Sequence, residues 1–234
     1  RRLRERPLEL SGAPGHRDGS DVVAASPAAG DAALGTRSYE AYEKPQVCQS
    51  CHTDIYQQWT QAMMSQAYTH HWDEIEYFEL ALTPALKEPK VAGVTAGCNG
   101  CHAPLAFLAG DIPPKPPSEG TRANEGVSCD LCHSITGFEG DVPYNFNWIV
   151  EPGDAVQGVR SGTESMGHEI RTNPFLESAE FCASCHTIIH PTNGLRIEHT
   201  YQEWKESVYA EKGIQCQDCH MRTVEDAIEV ARTL

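Results

Sequence analysis

The chain has 234 residues, a length suited to one or two domains, and carries 33 acidic against 18 basic side chains, a formal net charge of -15 at pH 7. That sign excludes a phosphate backbone as a principal partner, because nucleic-acid binding needs positive charge. The hydrophobic fraction is 40% with ten cysteines included, little for an ordinary core, and no run of about 18 apolar residues reads as a transmembrane segment.

Residues 1 to 10, RRLRERPLEL, are charged and lack the apolar stretch of a signal peptide, so the sequence is read as starting after a processing boundary. Ala, Gly, Ser and Pro dominate the following SGAPGHRDGSDVVAASPAAGDAALG, which has neither a helical nor a strand period. This composition predicts an extended N-terminal arm or linker over 1–40, ahead of one domain over 41–234. Six arginines and six acidic residues cancel within the arm, so the whole net charge falls on the domain. Such a surface either favours partners with basic faces or serves to keep the chain in solution.

The stretch CQSCHTDIYQQWTQAMMSQAYTHHWDEIEYFELAL opens with Cys48, Cys51 and His52 in the pattern Cys-x-x-Cys-His. Apolar residues then recur at Ile55, Trp59, Ala62, Met63 and Ala67, close to the spacing of one helix face. The same unit returns as Cys98, Cys101 and His102, as Cys129, Cys132 and His133, as Cys182, Cys185 and His186, and as Cys216, Cys219 and His220, and no cysteine is left over. A disulfide framework has no reason to follow every second cysteine with histidine. A zinc ribbon pairs Cys-x-x-Cys units without that histidine.

Cys-x-x-Cys-His is the attachment signature of c-type haem. Two thiols three positions apart meet the two vinyl groups of one porphyrin, and the adjacent imidazole reaches the iron. Five such units predict five c-type haems (iron), whose apolar faces would supply the buried surface that the side chains lack. Thioether formation needs reduced thiols and haem outside the cytoplasm, so a periplasmic or extracellular, cell-surface location is expected.

The first cysteines are separated by 50, 31, 53 and 34 positions, a long-short alternation that suggests duplication and closely stacked haem pairs. A second echo lies outside the motifs, where Tyr56-Gln57-Gln58-Trp59 matches Tyr201-Gln202-Glu203-Trp204. The fold class expected from these features is a multihaem cytochrome c fold, mostly irregular with scattered α-helices and little β structure, organised around five stacked haems.

Haem iron in an electron carrier is usually six-coordinate, with His or Met on the far side. Six histidines remain after the proximal five: His16, His70, His71, His168, His190 and His199. His16 is either a solvated loop residue or a ligand delivered by the arm, to this chain or to a neighbouring subunit. His70 and His71 are adjacent, so one of them would ligate. His168, His190 and His199 are further candidates, the alternative for the last two being hydrogen bonds to haem propionates. Met63 and Met64 are read as packing residues or, for one of them, as a ligand that would raise a haem's potential.

CQSCHTDIYQQWTQAMMSQA, NEGVSCDLCHSI and TYQEWKESVYAEKGIQCQDCHM resemble the multihaem c-type cytochromes grouped with the tetrahaem electron acceptor of hydroxylamine oxidoreductase. The resemblance covers roughly residues 45 to 221. It implies an irregular fold with scattered helices, haems stacked in pairs, and electron transfer. In many relatives a Ser-x-His after the first motif's Trp supplies a distal ligand, whereas here the turn reads Ala62-Met63-Met64. Extracellular cytochromes that polymerise into conductive filaments look similar in haem density and in using a histidine from the next subunit.

Two functional classes follow. One is a conduit in which haem potentials are graded by ligand, burial and charge, acting with redox partner proteins, in a larger redox complex or as a self-associated filament. The other is an oxidoreductase with one open haem acting on a small nitrogen or sulfur compound. Pentahaem nitrite reductases usually replace the histidine of one motif with lysine, and all five motifs here keep it, which favours a non-enzymatic carrier with no catalytic residue.

Overall fold

The computed structural model describes residues 30–71, 74–160, 165–190 and 193–234. Among the described residues, short helices and single 3-10 turns joined by irregular segments predominate, and the strands form three two-stranded sheets. This is the architecture expected from the sequence. Among the described residues no helix is long and apolar enough to cross a membrane.

The main core is centred on the helix Pro104–Ala109, PLAFLA. Pro104 begins it at a position where a missing N–H costs nothing, and Gly110 ends it at φ +72, a left-handed conformation that glycine adopts without a Cβ clash. Leu105, Phe107 and Leu108 are fully buried and pack with Tyr42, Leu131, Ile135, Phe146, Trp148 and Val150. The Phe107 and Phe146 rings meet edge to face at 5.0 Å. Phe107→Ala is therefore expected to cost about 3–5 kcal/mol, the range for emptying an aromatic site in a core that cannot collapse. A guanidinium titration of the haem-loaded protein measures it.

Residues 30–40, within the stretch predicted to be an arm, pack onto this core. Gly35 N–H donates to the Phe107 carbonyl (3.1 Å) and Arg37 N–H to the Leu108 carbonyl (3.0 Å), while Ala33 and Tyr39 cover the core's flank. Their backbone groups satisfy the end of the 104–109 helix, a pairing that composition does not reveal. The packed body thus reaches at least to Gly30.

Through the first motif, helix α1 (Pro45–Gln49) leads into helix α2 (Thr53–Gln61). The predicted helical face does not continue: Ala62 is extended (ψ 145) and Met63–Gln66 form a separate 3-10 turn. The break seats buried Ser65, whose hydroxyl donates to the Ala62 carbonyl at 2.8 Å. It also presents the Met64 carbonyl to Val127 N–H at 2.9 Å. Gly126, at φ +54, makes that approach feasible, since a Cβ there would lie 2.6 Å from the Met64 oxygen. Residues Glu74–Ala81 then form a π-helix, the wide turn often found beside functional sites.

Strand β1 (Ile135–Phe138) pairs antiparallel with β2 (Trp148–Val150), directly after the third motif. Strand β3 (Ala155–Gly158) pairs in parallel with β4 (Glu169–Thr172), and β5 (Ile188–Ile189) antiparallel with β6 (Arg196–Glu198). Each pair is too short to stand alone; its role is to return the chain to a motif.

Candidate functional site

All five motifs fold into the same single helical turn. In each, the histidine N–H donates to the carbonyl of the first cysteine four positions earlier: His52 to Cys48 (2.9 Å), His102 to Cys98 (3.1 Å), His133 to Cys129 (3.0 Å), His186 to Cys182 (3.0 Å) and His220 to Cys216 (2.9 Å). The second cysteine tightens the turn in four of them, its N–H donating to the first cysteine's carbonyl: Cys51 to Cys48 (3.2 Å), Cys101 to Cys98 (3.3 Å), Cys185 to Cys182 (3.1 Å) and Cys219 to Cys216 (3.2 Å). Cys132 N–H differs and reaches the Ser128 carbonyl (3.3 Å), because Cys129–Cys132 is already one turn of α-helix. One turn of helix puts positions three and four apart on one side, so each unit projects two sulfurs and an imidazole together. All ten cysteines are free thiols, half-buried except for exposed Cys51, and the five histidines are exposed.

The motifs also meet one another. Cys48 reaches Cys129, joining motifs one and three, and Cys182 reaches Cys216, joining motifs four and five. Cys101 hydrogen-bonds to Cys185, joining motifs two and four. Of the four other sulfurs, Cys51 accepts from Ser50 Oγ at 3.7 Å, and Cys219 lies half-buried in the helix Gln217–His220. Burial pushes the Cys132 thiol up to about 12, and the hydrogen bond from Cys182 holds Cys216 down at about 7.

The residues present fit haem in a second respect. Buried polar atoms without a protein partner include Ser128 Oγ, just before Cys129, Ser184 Oγ inside motif four, Thr187 Oγ1 just after His186, and Gln217 Oε1 inside motif five. Natural interiors rarely leave such atoms unsatisfied, and among the described residues these four of eight lie in or beside attachment turns. Among the described residues no three His, Cys, Asp or Glu side chains converge to hold a bare metal ion, unlike the four-ligand cluster of a zinc ribbon.

Two motif imidazoles are oriented through Nδ1, His102 on the Ala67 carbonyl (2.9 Å) and His133 on the Gln157 carbonyl (2.7 Å). Such a bond directs Nε2 towards a metal. Gln157 N–H in turn donates to the His133 carbonyl (2.8 Å), so β3 holds this residue from both sides.

Of the candidate distal residues, His168 is brought to a motif. It lies just before β4, its Nδ1 is 3.1 Å from the Glu169 carbonyl, and its ring centre is 6.3 Å from that of His52, at 36° between planes. These two imidazoles are the pair that would hold one haem iron between them, where the iron would supply one-electron redox chemistry. His70, His190 and His199 are half-buried, and His71 is exposed beside Glu74 at 3.8 Å. Met63 and Met64 are exposed. His16 lies outside the described residues. A cleft of about 540 Å³, including its open mouth, adjoins motif two and is lined by Tyr68, Glu76, Tyr77, Ala81, Cys98, Asn99 and His102.

Residues that motif spacing does not flag turn out to arrange the motifs. Arg122 and Asp130 hold the chain ahead of the first motif: Glu43 N–H donates to Asp130 Oδ2 at 2.7 Å, and Arg122 Nη1 to the Tyr42 carbonyl at 3.0 Å. Trp59 Nε1 donates to the Val127 carbonyl (2.9 Å) and Trp204 Nε1 to the Ile214 carbonyl (2.8 Å). The repeated Tyr-Gln-x-Trp was the one sequence signal pointing to any of these.

Five Cys-x-x-Cys-His turns, each carrying paired sulfurs and an imidazole in a body of short helices, are the arrangement on which multihaem c-type cytochromes are built. Residues 47–134, from the first motif to just past the third, match the family described as cytochrome c554 and c-prime. Among solved structures the chain is similar to a pentahaem cytochrome c552 from Thermochromatium tepidum, at 21% identity and a TM-score of 0.48. That match covers 77% of this chain and 54% of the other, so this chain spans about half the length of that cytochrome. No curated protein matched the chain.

Proposed function

We propose that the chain carries electrons through five covalently attached c-type haems outside the cytoplasm, as a conduit between redox partners rather than as an enzyme. The five Cys-x-x-Cys-His turns carry this reading, because each is closed by its histidine N–H on the first cysteine's carbonyl and so offers two sulfurs and an imidazole on one side. Haem iron, when bound, supplies one-electron redox chemistry. The protein's part is to hold the two sulfurs and the imidazole of each turn together, from Cys48 and Cys51 in the first to Cys216 and Cys219 in the fifth, and to orient His102 and His133 through backbone carbonyls. His52 and His168 would grip one iron from opposite faces. The negative charge of the body suits partners with basic surfaces, whose encounter should weaken as salt rises.

A pyridine haemochrome assay is expected to return five haems per chain, and a clearly lower count removes the proposal. The cleft beside His102 supports a second reading, an open haem acting on a small nitrogen or sulfur compound, with Tyr68, Glu76 or Tyr77 as a proton source. Spectra unchanged by nitrite or carbon monoxide would end that reading. Assembly through residues 1–40 would appear as bead-like filaments by electron microscopy, whereas a monodisperse monomer excludes it.

A further inference from the structure

The two tryptophans of the Tyr-Gln-x-Trp echo do the same thing in two places. Trp59, in α2 after motif one, donates its indole N–H to the carbonyl of Val127, two residues before the first cysteine of motif three. Trp204, in the helix Thr200–Lys205 after motif four, donates to the carbonyl of Ile214, two residues before the first cysteine of motif five. In both units a tyrosine three positions earlier packs against the indole with ring centres 5.6 Å apart.

Three further correspondences follow. The first cysteines of the joined motifs lie near enough for each thiol to shift the other's proton affinity, Cys48 with Cys129 and Cys182 with Cys216. The residue after the first cysteine of the second motif reaches back to the chain ahead of the first motif: Asp130 accepts from Glu43 N–H, and Gln217 Nε2 donates to the Ser178 carbonyl at 2.7 Å. Each approach segment also has a second anchor, Val127 N–H on the Met64 carbonyl (2.9 Å) and Ile214 N–H on the Tyr209 carbonyl (2.9 Å). Motif one therefore corresponds to motif four, and motif three to motif five, whereas the alternating spacings would have matched one with three.

We propose that Trp59 and Trp204 are equivalent positioning residues, each using its indole N–H to set how a second attachment turn docks against a first, and so fixing the geometry of two haem pairs. A half-buried donor aimed at a single carbonyl acts as a hinge pin: the ring supplies packing, and the N–H sets the register. Neither residue belongs to a Cys-x-x-Cys-His unit, so its loss leaves all sulfurs and imidazoles in place. The inference rests on the proposed haem loading.

The test uses the haem-loaded full chain with Trp59→Phe, Trp204→Phe and the double substitution, which keep an aromatic ring and remove the N–H. Haem count is measured first. A wild-type count well below five defeats the functional proposal itself. With five haems present, circular dichroism in the Soret band reads the coupling between neighbouring porphyrins. Each single variant is expected to lose part of the coupled signal at an unchanged haem count, and the double variant to lose the sum of the two, as independent sites do. Unchanged Soret couplets in both single variants overturn the proposal. Should the variants fail to accumulate, hydrogen exchange of the indole protons in the reduced wild-type protein decides: slow exchange at both tryptophans supports the assignment, and fast exchange at both overturns it.

Discussion

His168→Ala is expected to convert one haem from low-spin to high-spin while leaving the number of attached haems unchanged. The expectation rests on the 6.3 Å between the His52 and His168 ring centres and on the contact of His168 Nδ1 with the Glu169 carbonyl, which leaves Nε2 available. His168 stands outside every attachment unit, so thioether formation does not depend on it. Removing the imidazole that would hold this iron would open a coordination position, and the reduced variant should then bind carbon monoxide at a single haem. His168→Met is expected to raise that haem's potential, in the direction that axial Met takes relative to bis-His ligation. A fully low-spin spectrum for His168→Ala that ignores carbon monoxide would falsify the pairing. The same experiment on His71, which is exposed, is expected to change neither spin state nor potential.

Arg122→Met is expected to destabilise the protein by about 3–5 kcal/mol, the cost of removing one partner from a buried ion pair. Arg122 and Glu125 are 17% and 13% exposed and meet at 2.7 Å, with a second bond at 3.0 Å from Nη2 to Oε2. The same guanidinium donates to the carbonyls of Tyr39 and Tyr42, so the change strands a carboxylate and loosens the chain ahead of motif one. A fork of five donors suits this role, and lysine could not reproduce it. Replacing both partners, Arg122→Met with Glu125→Leu, should recover much of the loss, because no charge is then left unpaired. Guanidinium unfolding of the haem-loaded variants measures both, and a cost below about 1 kcal/mol for Arg122→Met would show that the pair behaves as a surface bridge.

The attachment turns were readable from residue order because their chemistry is local. Two sulfurs and an imidazole must lie within one helical turn, and every motif folds that way. The irregular fold of short, scattered helices was readable for a related reason, since frequent Gly and Pro and few aliphatic residues leave no long amphipathic stretch. The helix after motif one was legible only to Gln61. Its continuation through Met63 fails because Ser65 is buried there and the Met64 carbonyl has a partner that lies far along the chain. The boundary at residue 40 was set by composition, while the packing of 30–40 depends on the carbonyls of Phe107 and Leu108.

By itself the sequence determined that each Cys-x-x-Cys-His unit sets two sulfurs and an imidazole on one turn, because that is a matter of five consecutive residues. It also carried the Tyr-Gln-x-Trp echo, without saying what the tryptophans do. Only the tertiary structure decided which turns are neighbours, that His168 faces His52, and that each indole reaches the residue two ahead of another motif. Most of these contacts join positions tens of residues apart, and no local propensity encodes them. They arise when short segments, too weak to fold alone, are held by hydrogen bonds from a few side chains such as Arg122, Trp59 and Trp204.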